Sequence, residues 1–300
     1  DGGDTVLRGN AINTQYSNNA VTILLENDSP ANIFGNIQIS DDDQIFVQNG
    51  TTNFDGVINP DTMLEGSLTI RSKGTLVMLN DNAEEGASRA FVDTFTMGKK
   101  GKLQLNLTPD NSSGAYPTIA ANTANLGGKL RAQYDGTFYG NSIVYENVID
   151  ANARNGKFKK VVDNSVLLDT KAVYDNDENV DLKVKRVGFG DVPGLTENQT
   201  AAGNGIEKVY GDLPNKGPFS NIVKDLFTLD SSQYAAAMDQ LAGAEYAQLM
   251  QSVLRSTGQL NASITDRMDC SLTSCRCPVR RPSSWHRSPS RSARRSPSLG

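Results

Sequence analysis

The sequence predicts an all-β fold, a right-handed parallel β-helix that gives way to α-helices and then to a tail that builds no core. Three observations predict it. Short runs with period-2 alternation fill the chain from Ala20 to about Val187, Asn, Asp and Gly separate them, and helical spacing replaces them after Leu195.

The runs are AVTILLE from Ala20, NIFGNIQIS from Asn32, QIFVQ from Gln44, SLTI from Ser67, TLVML from Thr75, FVDTFTM from Phe91 and KLQLNL from Lys102. Ile33, Gly35, Ile37 and Ile39 share one face, as do Leu103, Leu105 and Leu107. Turns are expected at Asn49-Gly50, Asp55-Gly56, Lys73-Gly74 and Asn155-Gly156, where Gly or Asn takes up positive φ. A β-sandwich or barrel competes for the same pattern, because the repeat is irregular. Asn10, Asn13, Asn18, Asn19, Asn27, Asn32 and Asn36 tip the reading to the β-helix, since Asn tolerates the left-handed conformations that stacked turns use.

Composition agrees with a β protein rich in Gly and Asn: 37% of the 300 residues are hydrophobic and 21% charged. All three cysteines (Cys270, Cys275, Cys277), the only Trp (Trp285) and the only His (His286) follow residue 269. That tail holds seven Arg and no acid or Lys, so the chain's formal charge of −5 leaves about −12 for residues 1–269. A cysteine-free acidic body suits export into an oxidising compartment and argues against nucleic acid as its partner. No apolar run reaches the roughly 18 residues of a membrane-spanning helix, and no signal sequence begins the chain; either one has been removed or, as first residues that start mid-pattern favour, this is an internal fragment of a longer protein.

After Leu195 the apolar residues follow a helix. Phe219, Ile222, Val223, Leu226 and Phe227 form one stripe, and Tyr234, Met238, Leu241 and Leu249 continue it, with Ser231 or Ser232 as the N-cap. Two motifs lie here. Thr196, Asn198 and Gln199 match Thr-x-Asn-Gln, and Gln240, Leu241, Gly243, Tyr246 and Ala247 match Ala-x-x-Gln-Leu-x-Gly-x-x-Tyr-Ala. In this order they resemble the linker of bacterial autotransporters, the type V secretion family.

A second resemblance lies upstream. Tyr145, Val148, Ile149, Ala151, Gly156, Phe158, Tyr174, Asp175, Val180, Leu182 and Val184 follow the order of the pertactin-like autochaperone module at the C-terminal end of such passengers. The resemblance covers about residues 91–269. It implies a pertactin-like (pectin-lyase-like) stem over 1–90, the autochaperone end over 91–190 and a linker over 191–269. It also implies an outer-membrane β-barrel translocator in cis as partner, a route through the periplasm to the outer membrane and cell surface, and a host-cell or matrix receptor for the passenger.

The departure from the family is the tail. CSLTSCRCPVRRPSSWHRSPSRSARRSPSLG, residues 270–300, has no alternation and stands where the barrel is expected, so it reads as an out-of-frame end, a genuine disordered Arg/Ser/Pro tail being the alternative, and the chain without a barrel is not expected at the surface.

The same residues exclude much chemistry. A Ser-His-Asp nucleophile or an HExxH zinc site needs a histidine in the body, and there is none. Cys270, Cys275 and Cys277 lack zinc-ribbon spacing, DGGDT at Asp1 is a single poor match to a calcium roll, and the Arg-Ser-Pro run from Arg287 to Pro297 offers charge alone. Asp41, Asp42 and Asp43, and Asp175, Asp177 and Glu178, read as solvated turns. No catalytic, cofactor or metal site is therefore expected. The expected role is a non-enzymatic surface stalk or adhesin; the alternatives are a stem for an enzyme domain encoded before Asp1 and a β-helix glycan-processing enzyme using paired Asp.

Overall fold

The structure, a computed structural model, describes residues 9–80, 86–175 and 178–272, and only the backbone of residues 244–249 and 269–272. Asp177, Cys275, Cys277, Trp285, His286, the Arg-Ser-Pro run and the DGGDT segment lie outside the described residues. Contacts divide the chain into two units, Asp1–Ala244 and Glu245–Gly300.

Fifteen strands come first: β1 (Asn10–Asn13), β2 (Thr22–Glu26), β3 (Ala31–Phe34), β4 (Asn36–Gln38), β5 (Gln44–Asp55), β6 (Val57–Ile58), β7 (Ser67–Met78), β8 (Arg89–Met97), β9 (Lys102–Leu107), β10 (Thr118–Asn125), β11 (Lys129–Tyr134), β12 (Ser142–Asn155), β13 (Lys160–Val162), β14 (Leu168–Tyr174) and β15 (Val180–Arg186). Four helices follow: α1 (Glu197–Tyr210), α2 (Pro218–Leu226), α3 (Ser231–Leu241) and α4 (Ala244–Leu272).

The body is a parallel β-solenoid of about five turns. Register shows why the alternation was needed. On one face Ile12, Ile37, Ile58, Ala90, Ile119 and Ile149 stand beside one another in successive rungs. On the next, Ile23, Ile45, Leu68, Phe95 and Ala124 do the same, and on the third Ile33, Phe54, Met78, Leu105 and Ala132. Every second residue thus points inward onto its equivalent one rung away, and all but the first rung's members are buried. The rungs lengthen along the stack: register partners on the third face lie 21 residues apart from Ala31 to Thr52, 27 from Lys102 to Lys129 and 31 from Lys129 to Lys160. That drift is the irregularity seen in the sequence.

The asparagines serve the stack, but by another route than positive φ. None of Asn10, Asn13, Asn18, Asn19, Asn27, Asn32 and Asn36 is left-handed; among the described non-glycine residues Asn59, Thr62 and Asn147 are. The side chains of Asn27, Asn32 and Asn36 bond from rung to rung instead. Asn53 donates to Asn32 Oδ1 at 2.8 Å, Asn36 Oδ1 accepts the Val57 amide at 2.9 Å, and Asn27 donates to the Thr51 carbonyl at 3.2 Å. Lys73-Gly74 is likewise no turn: it lies inside β7, where a Cβ on Gly74 would sit 2.0 Å from the Val47 carbonyl oxygen of the rung beside it. Asp43 is not a solvated turn residue either. It is buried and accepts bonds from the Val21 and Ser40 amides and the Thr14 and Ser40 hydroxyls.

At the C-terminal end the pairing changes direction. β12 runs parallel to β10 through Ile149–Asn155, but its first half pairs antiparallel with β15, which pairs antiparallel with β14. The hairpin replaces the edge that a further parallel rung would have used.

Candidate functional site: the cap on the last rungs

The cap is built from β12, β14, β15 and α1–α3. Tyr145 of β12 stands opposite Leu182 of β15, and Ile143 opposite Val184; Tyr145, Leu182 and Val184 are buried. The Tyr145 hydroxyl donates to the Thr108 carbonyl and its ring meets Tyr116 edge-on, centroids 5.3 Å apart. Burial pushes its pKa above the ordinary range, so the phenol stays neutral and keeps this bond.

Gly156, Phe158 and Tyr174 come together a few residues away. Gly156 closes β12 at φ +81, its carbonyl takes a 2.6 Å bond from Arg154, and the Phe158 amide donates to the Tyr174 hydroxyl at 3.1 Å. Arg154 is the register partner of inward-facing Ala124, so a guanidinium occupies the core position of the last rung. It lies 5.0 Å from the centre of the Tyr174 ring, with Lys157 at 4.9 Å. Tyr174 therefore roofs a charge at the end of an apolar column.

The Thr196 motif is a helix cap. Thr196 Oγ1 accepts the Gln199 amide at 3.4 Å while Gln199 Oε1 accepts the Thr196 amide at 2.7 Å, the two halves of a capping box. Gln199 is buried and its amide nitrogen also donates to the Ala235 carbonyl of α3 at 3.1 Å, joining two helices. Asn198 is exposed. Leu241 is largely exposed at the end of α3, Gly243 turns the chain into α4 at φ +71, and Tyr246 lies in α4 with only its backbone described.

Of the expected apolar stripe, Val223, Leu226, Phe227, Tyr234 and Met238 are buried, but Phe219 and Ile222 are exposed. α2 spans nine residues, and in its first half only Ser220 is buried, with Phe219 and Ile222 turned outward. Ser231 and Ser232 do not cap α3. Asp230 does, accepting the Ser232 and Gln233 amides, both at 2.9 Å.

Sequence reasoning missed the residues that bind helices to sheet. Arg186, at the end of β15, forms a two-pronged pair with Glu207 of α1 at 2.8 and 2.6 Å and lies over the Tyr210 ring at 4.7 Å. The Arg186 hydrogen bonds hold the Glu207 carboxyl below the usual carboxylate range against the opposing effect of burial. Phe189, Tyr210 and Phe227 form an aromatic group around it. Tyr210 accepts the Tyr139 amide and donates to the Tyr139 carbonyl, and Tyr234 donates to the Phe189 carbonyl at 2.7 Å. Arg186, Phe189, Glu207 and Tyr210 are isolated aromatics or charges in sequence, so no periodicity marks them; Phe227 and Tyr234 fall on the helical stripe, which does not report their partners.

An open cavity of about 450 Å³ lies where the last rungs meet α2 and α3, lined in part by Arg131, Asp163, Asn164, Thr228 and Asp230. Three of its polar groups are engaged in holding the cap. Asn164 bonds both the amide and carbonyl of Tyr134, Asp230 caps α3, and burial raises the Asp163 pKa while hydrogen bonds from Thr170 and Ser165 oppose it. Among the described residues no group of three His, Cys, Asp or Glu is placed to hold a metal ion, and no helix is long and apolar enough to cross a membrane.

α4 forms the described part of the second unit. Met250, Val253, Leu254, Leu260, Ile264 and Met268 are exposed along it, while Ser256, Thr257, Ser263 and Thr265 turn their hydroxyls back onto carbonyls four residues earlier. Comparison of the chain with protein-family models, curated proteins and solved structures finds no match.

Proposed function

We propose that this chain is passenger sequence of an outer-membrane autotransporter, a non-enzymatic surface stalk or adhesin whose C-terminal cap assists its own secretion and folding. The observation that carries the reading is the cap: an antiparallel hairpin and three helices complete the last rungs of a parallel stack with buried aromatics and matched hydrogen bonds. Such an end is a preformed template. Each rung that docks on it buries apolar side chains the unfolded chain left in water, which opposes backsliding of a chain emerging C-terminus first.

The linker motifs support the same reading, since they lie in α1, at the α3–α4 junction and in the helix that follows. In this reading α4 leads into the pore of a β-barrel supplied in cis, the chain reaches the surface through the periplasm, and the stem meets a host-cell or matrix receptor. The test is display on cells after adding a signal sequence ahead of Asp1 and a translocator barrel after Asp269. The parent is expected at the surface as a protease-resistant stem, and Tyr145→Ala/Leu182→Ala is expected to stall or be degraded in the periplasm. Equal display of both, or display of the parent with no barrel present, contradicts the reading.

A further inference from the structure

Eight of the 22 cationic residues of the body gather at one corner of the stem. Lys102, Lys129 and Lys160 begin β9, β11 and β13 and are direct register partners, one per rung. Their neighbours Leu103 and Leu130 are fully buried inside, so the lysines face outward; Lys102 and Lys160 are exposed and Lys129 is half-buried between them. The turns leading into these strands read GKKGK, LGGK and GKFKK, adding Lys99, Lys100, Lys157 and Lys159, and Arg131 follows in β11. These eight cations share segments without a single acid, in a chain whose formal charge is −5.

The stacking is tight. Lys129 donates its amide to the Gly101 carbonyl and Lys159 to that of Gly128, at 2.9 and 2.8 Å, so the corner is fixed by backbone and not by mobile loops. Among the described residues none of the eight pairs with a carboxylate. Burial and the charges of Lys160, Arg131 and Lys102 depress the Lys129 pKa, so the row is repulsive in the protein alone. Elsewhere the same stem fills register positions with matched groups, as in Asn152 on Asn122 and Asn155 on Asn125 at 2.9 and 3.0 Å.

We propose that this corner is a binding site for a linear sulfated polysaccharide, whose regularly spaced anions lie along the row of Lys102, Lys129 and Lys160. Rungs about 4.8 Å apart set a row of charges along the stem axis that an extended polyanion follows without bending. Lysines act as point charges for such groups, and the corner exposes no aromatic platform on which nucleic-acid bases stack, Phe158 being buried and Tyr174 covered by Arg154 and Lys157. The acidic remainder of the body disfavours a broad anionic surface, which leaves a narrow chain as the occupant. The proposal names a ligand class for the surface role given above and rests on that role for its biology, but the site is testable in vitro whatever becomes of the secretion reading.

The experiment is lysine acetylation of the full chain with and without heparin, read by mass spectrometry. Residues 270–300 contain no Lys, so their seven arginines do not enter the signal. Protection is expected at Lys102, Lys129 and Lys160, with none at exposed Lys183, Lys208 and Lys216. Lys102→Gln/Lys129→Gln/Lys160→Gln is expected to bind heparin about tenfold more weakly, salt-dependently, whereas Lys183→Gln/Lys208→Gln/Lys216→Gln, equal in charge, binds as the parent does. Circular dichroism confirms that both variants fold. Uniform or absent protection, equal losses in the two variants, or equal protection of the row by double-stranded DNA at matched charge would overturn the proposal.

Discussion

At the scale of single residues, close contact between rungs sets the tolerances. Gly128 has φ +56, and a Cβ there would lie 2.2 Å from the Gly101 carbonyl oxygen; at Gly140 the space is open and φ is not in the left-handed region. Gly128→Ala is expected to cost at least about 1–3 kcal/mol from backbone strain alone, and Gly140→Ala to be near neutral, as measured by urea unfolding. Equal effects would mean the corners are not held by their neighbours. The residue scale is also where sequence reading went furthest astray. Asn patterns pointed to the stacked fold, yet Asn27, Asn32 and Asn36 serve it by hydrogen bonding between rungs. Such partners lie 20 or more residues apart, as Asn32 and Asn53 do, and no local pattern reports them.

Among elements, the strands were legible because one side of each is buried against its equivalents, so alternation and burial coincide. Helices α2 and α3 were legible too from their apolar stripe, α1 only as a motif at its start, and the attachments of the helices were not. Gln199 was found as a motif letter and turned out to close a capping box and reach α3 as well. Thr196→Ala is expected to cost about 1 kcal/mol as a lost cap, and Gln199→Ala more, because it also leaves the Ala235 carbonyl without that donor; thermal melts of the two variants check the order. The Arg186–Glu207 tie between β15 and α1 gives a pH dependence. Its folded-state carboxyl titrates below the ordinary 4.5, so its contribution is present above that value and lost as pH falls through the depressed one. The stability gap between the parent and Glu207→Gln is accordingly expected to be widest near neutrality and to shrink below about pH 4.5. A gap unchanged down to pH 3 would show that the pair adds nothing to docking of the helix.

For the whole molecule, the solenoid has no long-range closure: each rung touches its neighbours, and stability is a sum of local terms plus whatever caps the ends. The aromatic group of Phe189, Tyr210 and Phe227, the buried Tyr145 and the hairpin β14–β15 all lie at one end. That asymmetry underlies the proposed vectorial folding. It was visible in sequence only as an ordered set of ordinary strand and turn residues, because a tyrosine that roofs an arginine or plugs a core end looks like any other until the chain is stacked.

Native-state hydrogen exchange along the rungs tests this most directly. The amides of β12, β14 and β15 are expected to exchange slowest, with protection declining through β10 and β7 toward β2. Uniform protection, or slower exchange in the first rungs than in the cap, would contradict the claim that the C-terminal cap is the template on which the stem is built.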